Sequence, residues 1–232
     1  LRQAALKKPV IMWKVGLTSE GARANASHTG AMASAPNIWQ GVLQQTGVIP
    51  VVGFESQVDA LNGLSNMPSN PGNRMAIISG PGGLAVSAAE ACGREKIRLA
   101  DLLPETRTGL ARLISDPGTS LINPIDVSLS AHFDLDIFFQ SVRIVAADTG
   151  VSAIIVIGCG LSPETNKIYA EGLIRAYRDC KKPILAVKIP GFDLKYAEQL
   201  CRGGIPFFDS AERAVHTYAL AVRYRNWLKK QY

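Results

Sequence analysis

The sequence predicts an α/β protein: a flavodoxin-like or Rossmann-like three-layer domain with a parallel sheet, preceded by part of a second α/β domain. Two observations carry this expectation. Short apolar runs alternate along the chain with longer amphipathic stretches, and one segment, Leu64-Ser65-Asn66-Met67-Pro68-Ser69-Asn70-Pro71-Gly72-Asn73, interrupts all periodicity. That seam reads as a surface connection and divides the chain into units spanning 1–66 and 73–232.

In the rear unit, Met75 to Ser79, Ala153 to Ile157 and Ile184 to Ile189 read as strands buried on both faces, with Ile97 to Leu99 and Phe207 to Phe208 as weaker ones. Helices are expected at Leu84 to Arg94, Pro104 to Ser115, Leu135 to Asp148, Pro163 to Cys180, Lys195 to Arg202 and Ser210 to Lys229. Alternation of this kind forces parallel pairing through right-handed crossovers. The front unit offers a strand at Pro9 to Val15, a polar loop through Gly30, a helix near Pro36 to Thr46, a strand at Val48 to Val52 and a helix near Glu55 to Leu64. Two strands and two helices bury too little to stand alone, so this unit is expected to be the second half of a domain whose first half lies elsewhere. The absence of an initiator Met at Leu1 fits that expectation.

At 232 residues, with 47% hydrophobic and 19% charged side chains and a mean hydropathy of +0.10, the chain is too apolar for disorder. It also lacks the roughly 20-residue apolar run of a membrane span. A net charge of +6 with scattered Lys and Arg is modest for a nucleic-acid surface and better suited to small anions such as phosphates. Cys92, Cys159, Cys180 and Cys201 form no C-x-x-C pair, which favours a reduced, cytoplasmic protein over a zinc or redox module.

Four segments could carry chemistry. Ser27-His28-Thr29-Gly30-Ala31 falls on the ligand side of a parallel strand. A neutral imidazole there could attack a phosphoryl group, although from the residues alone a histidine that only caps the next helix is the favoured reading. Gly80-Pro81-Gly82-Gly83-Leu84 follows a buried strand and opens a helix, where free N–H groups and the helix dipole hold anions. It is neither a Walker A loop nor a full G-x-G-x-x-G, and a ligand-free tight turn remains open. Asn123-Pro124-Ile125-Asp126 and Gly158-Cys159-Gly160 are placed along the same sheet edge, making Asn123, Asp126 and Gly160 candidate substrate contacts. Cys159 reads as a small loop residue or as a nucleophile without a visible base. His132 and His216 read as surface or helix-face histidines, and Tyr218 to Tyr232 as a C-terminal helix with a solvated basic face. No metal-ligand spacing is visible.

Taken in order, Lys8-Pro9-Val10, Lys14-Val15-Gly16, Glu20-Gly21-Ala22-Arg23-Ala24, Ser27 to Ala31 and Gln45-Thr46-Gly47-Val48-Ile49 resemble the NDP-forming acyl-CoA synthetases, relatives of the succinyl-CoA synthetases. The rear unit is similar to that family's second flavodoxin-like domain through Gly80 to Leu84, Asn123 to Asp126, Gly204-Ile205-Pro206 and Glu212-Arg213-Ala214-Val215. The resemblance implies an acid–thiol ligase that passes a phosphoryl group between acyl phosphate and nucleotide through a phosphohistidine, here at His28. It also implies CoA as substrate, with Mg²⁺ and ADP or ATP bound mainly outside these residues. The CoA-binding and ATP-grasp domains, and the half-domain that orients the histidine with a carboxylate, are expected as partners in an oligomeric enzyme. Glu20 is not assigned the orienting role. Two rivals compete: a non-catalytic regulatory or scaffold module, and an FMN binder, which the hydroxyl-poor glycine turn disfavours. The acyl group and the choice of ADP over GDP are not readable.

Overall fold

The runs of Ile, Val and Ala that are apolar on every side become the central strands of a sheet, because only a position covered on both faces tolerates them. A computed structural model describes residues 1–29, 35–114, 118–158, 160–180 and 182–231. The front unit comprises α1 (Arg2–Ala5), β1 (Ile11–Trp13), α2 (Ser19–Thr29), α3 (Pro36–Thr46), β2 (Ile49–Val51) and α4 (Phe54–Ser65). The rear unit comprises β3 (Arg74–Ser79), α5 (Gly82–Arg94), β4 (Arg98–Leu99), α6 (Pro104–Leu113), β5 (Ile125–Asp126), a 3-10 turn (Leu129–His132) and α7 (Asp136–Ala147). It continues with β6 (Ala153–Ile157), α8 (Pro163–Cys180), β7 (Ile184–Val187), α9 (Leu194–Arg202), β8 (Phe207–Phe208) and α10 (Ala211–Lys229).

The rear sheet is parallel, in the order β4-β3-β6-β7-β8, with β5 pairing the outer edge of β3 beyond the end of β4. Leaving out β5, this is the 2-1-3-4-5 order of flavodoxin-like folds, whose chain direction reverses between the first and third strands. Here that switch point lies between β3 and β6, where Met75 to Ser79 run in register with Ala153 to Ile157. Helices α5 and α10 pack together on one face, while α6, α7, α8 and α9 pack side by side on the other. The core between these layers includes Ile77, Ile78, Phe138, Ile155, Tyr169 and Tyr218.

The front unit has only two paired strands, with Ile11 against Ile49 and Trp13 against Val51. Its small core, formed by Ile49, Val51 and Ala60, closes on Leu220 of α10. A fork of hydrogen bonds fixes the same seam: Arg213 Nε and Nη2 donate to the Asp59 carboxylate at 2.6 and 2.9 Å. The reverse side of the unit is uncovered. Val52 and Phe54 are 87% and 69% exposed, Ile38 and Leu61 are also exposed, and an apolar groove of about 410 Å³ runs past Leu17, Leu43, Val48 and Pro50.

One sequence expectation needs correction here. The segment expected as a polar loop through Gly30 is helical from Ser19 to Thr29, its start capped by Thr18 Oγ1, which accepts from the Gly21 N–H at 3.1 Å. The helix lacks an apolar stripe because it is built from Ala, Ser, Asn and Gly, so periodicity does not reveal it. The C-terminal helix keeps the expected solvated basic face, with Arg223, Lys229 and Lys230 exposed, while its other side is covered, α10 being sandwiched between α4 and α5. Arg223 bonds Glu95 at 2.7 Å and Arg225 donates to the Pro71 carbonyl.

Candidate functional site

Strand β3 ends at Ser79 and the chain turns directly into α5 through Gly80 and Pro81, on the carboxyl edge of the sheet at the switch point. Pro81 is the N-cap and its carbonyl receives the N–H groups of Leu84 and Ala85 at 3.1 and 3.3 Å. Among the described residues, nothing accepts from the N–H of Gly82 or Gly83. A side chain on Gly83 would meet nothing within 4 Å, so the turn is uncovered on that side. This is the arrangement that binds oxyanions at helix N-termini.

Asp126 is brought to the same place. Its Oδ2 lies 2.6 Å from the point a Gly82 Cβ would occupy, and its Oδ1 accepts from the Ser128 N–H at 2.9 Å. Asn123 is not. Its Nδ2 donates to the carbonyls of Met75 and Ala100 at 2.8 and 3.0 Å, and its Oδ1 accepts from the Ile77 N–H at 3.0 Å. That amide stitches the edge of β3 in the gap between β4 and β5, and we assign it to the sheet rather than to a ligand. Gly160 has a packing reason too, since a Cβ there would sit 2.2 Å from the backbone of Thr165 in α8. Cys159 lies outside the described residues.

His28 projects from the last turn of α2 and is exposed. Residues Gly30 to Ser34, which follow it, lie outside the described residues. Glu20 sits two turns away on the same helix, about 12 Å along its axis. It accepts from Ser19 Oγ at 2.8 Å and pairs with Arg23 at 3.7 Å, which removes it as an orienting group for the histidine.

His132, expected at the surface or on a helix face, ends the 3-10 turn, is only 3% exposed and packs against Gly80: its Cε1 lies 2.2 Å from the point a Gly80 Cβ would occupy. A lone histidine without a motif carries no signal of this contact, which depends on the glycine opposite. His216 is on a helix face, as expected, with Nδ1 2.6 Å from the Glu95 carboxylate. Among the described residues no three His, Cys, Asp or Glu side chains form a group that could hold a metal ion. No helix of the described residues is long and apolar enough to cross a membrane.

Residues 1–64 match the family model of the succinyl-CoA ligase like flavodoxin domain. The chain is 29% identical over 232 residues to the alpha subunit of acetate–CoA ligase [ADP-forming] I of Pyrococcus furiosus, covering 99% of this chain and 49% of that protein. It is 32% identical over 227 residues to 4-hydroxybutyrate–CoA ligase [ADP-forming] of Nitrosopumilus maritimus, covering 97% of this chain and 32% of that one. The structure of dinucleotide forming acetyl-coenzyme A synthetase 1 from Ca. Korarchaeum cryptofilum, in complex with phosphate and ADP, superposes with a TM-score of 0.85 at 26% identity. That match covers 99% of this chain and 50% of the other. The α/β fold is thus shared over nearly the whole length of the chain. Over that length the chain is similar to part of the NDP-forming acyl-CoA synthetases. It spans about half the length, or less, of the curated relatives it matches.

Proposed function

We propose that this chain supplies the phosphoryl-transfer part of an NDP-forming acyl-CoA synthetase, which interconverts acyl-CoA, ADP and phosphate with carboxylic acid, CoA and ATP. The observation that carries the reading is the unbonded pair of N–H donors at Gly82 and Gly83, set at the switch point of a sheet whose relatives are ADP-forming ligases. In this reaction phosphate displaces CoA from the thioester to give acyl phosphate. The imidazole of His28 then attacks phosphorus, the P–O bond to the acyl group breaks, and a carboxylate leaves. Fixed N–H groups of the turn stabilise the transferring group without reorganising. His28 suits this role because its side chain is exposed on a helix end, unencumbered by packing.

The described residues contain no cluster suited to Mg²⁺, so no step is assigned here to a metal or to bound nucleotide. Those belong in this reading to an ATP-grasp unit. CoA belongs to a Rossmann unit, and both act in an oligomeric assembly. The missing first half of the front domain covers the apolar groove and the exposed Val52 and Phe54, as domain halves bury apolar faces against each other. Cys92, Cys180 and Cys201 are free thiols, in keeping with the cytoplasmic setting this reading requires.

The test is ATP formation from an acyl-CoA, ADP and phosphate by the chain assembled with its CoA-binding and ATP-grasp units. ATP formation that requires both acyl-CoA and phosphate, and that disappears in a folded His28→Ala variant, is the expected result. ATP formation that persists in the variant, or that needs no phosphate, rejects the reading.

A further inference from the structure

The turn from β3 into α5 is bordered by acceptors as well as donors. Both acceptors come from one short segment, 126–132, and each lies against one of the turn's glycines. Asp126 Oδ1 is held by the Ser128 N–H, which leaves Oδ2 directed at Gly82. His132 Nδ1 lies 3.1 Å from the Leu129 carbonyl. A carbonyl only accepts, so the ring proton resides on Nδ1 and Nε2 keeps a bare lone pair. That Nε2 is buried and has no hydrogen-bond partner. Burial also draws the imidazole below its ordinary pKa, partly offset by the bond to Leu129, which favours the neutral form.

A helix N-terminus furnished with donors alone binds sulfate and phosphate alike. Acceptors change this. Near neutral pH sulfate has no proton to give and meets the Asp126 carboxylate and the His132 lone pair with lone pairs of its own. Hydrogen phosphate carries a hydroxyl that can satisfy either acceptor, and an orphaned buried acceptor gains most from a ligand that brings a proton. Repelling the wrong ligand is as effective for selectivity as holding the right one. We propose that Asp126 and His132 read the proton on the bound oxyanion, so that this turn takes hydrogen phosphate and rejects sulfate. The assignment rests on the turn being the phosphate site. Because Nε2 has no exposed surface, the 3-10 turn Leu129–His132 shifts as the ligand seats. Leu129 and Phe133 beside it are 62% and 83% exposed and offer little packing to resist that movement.

The experiment is calorimetric titration of the 232-residue chain with inorganic phosphate and with sodium sulfate at equal ionic strength, for wild type, Gly82→Val, Asp126→Asn, His132→Phe and His132→Gln. The wild type is expected to bind phosphate at least about tenfold more tightly than sulfate, the effect of one hydrogen bond gained or an acceptor left facing an acceptor. The ratio should fall toward one in Asp126→Asn and His132→Phe and be partly kept in His132→Gln, whose carbonyl still accepts. Circular dichroism checks that each variant is folded. Phosphate binding that is lost in Gly82→Val while the phosphate-to-sulfate ratio is unchanged in the Asp126 and His132 variants overturns the proposal and leaves the turn as the phosphate site. Absence of phosphate binding, or binding indifferent to Gly82→Val, overturns both.

Discussion

At the scale of residues, what the glycines of the β3–α5 turn do is set by what faces them. Gly82 has the Asp126 carboxylate where a side chain would stand, so Gly82→Val must displace that carboxylate and distort the first turn of α5. Loss of stability of about 1–3 kcal/mol in a denaturant titration is expected. Asp148 is the clearest electrostatic post among the described residues. Burial opposes its charge, but the N–H groups of Leu103 and Gly150, the Thr106 hydroxyl and nearby Lys182 together hold its pKa below the ordinary 3.8. A carboxyl whose folded pKa is depressed contributes stability that is complete above its unfolded pKa, near 4, and is lost as pH falls through the folded value. Asp148→Asn should therefore lower stability at neutral pH by about 2 kcal/mol and flatten its fall as pH drops below about 4. Denaturant midpoints across that range check it, and an unchanged acid limb contradicts the assignment. The glycine turn was legible in the sequence because glycines between an apolar run and a helix have few other uses. The Asp126 contact and the burial of His132 were not, since each depends on a partner distant in the chain.

Among the elements, α10 holds the two units together. Gly63 of α4 lies so close to it that an added Cβ would be 2.2 Å from Thr217 Cγ2. Gly63→Ala is expected to push α4 from α10 and destabilise the chain by about 1–3 kcal/mol, read from thermal or denaturant unfolding. A stability unchanged within about 0.5 kcal/mol would mean the helices do not pack this closely. The central strands were readable from their continuous apolar runs, and α8 from Pro163 and its long amphipathic pattern. Several elements were not, among them β5 and α2. Strand β5 is only two residues long, and α2 carries no apolar stripe, so neither leaves a periodic trace. The second of these moved His28 from an expected loop onto the end of a helix.

For the molecule as a whole, the α/β class and the parallel sheet follow from the order of runs. The packing of the front unit on α10 does not, because nothing in α4 or α10 names the other as its partner. Residues 73–232 contain the six-stranded sheet with helices on both faces, whereas the front unit leans on Leu220 and Arg213 for its closure. Expressed alone, residues 73–232 should unfold in one cooperative transition, while 1–66 alone should show none. A molten 73–232 product would contradict the division. Phosphorylation of His28 is the most direct readout of the proposed function. The chain, assembled with the family's CoA-binding and ATP-grasp units, is incubated with [γ-³²P]ATP and Mg²⁺, and the label is mapped by peptide. An acid-labile, base-stable phosphate at His28 is expected, lost in a folded His28→Ala variant and discharged by carboxylate plus CoA. An assembly that makes acyl-CoA with no label on His28 would contradict the proposed function.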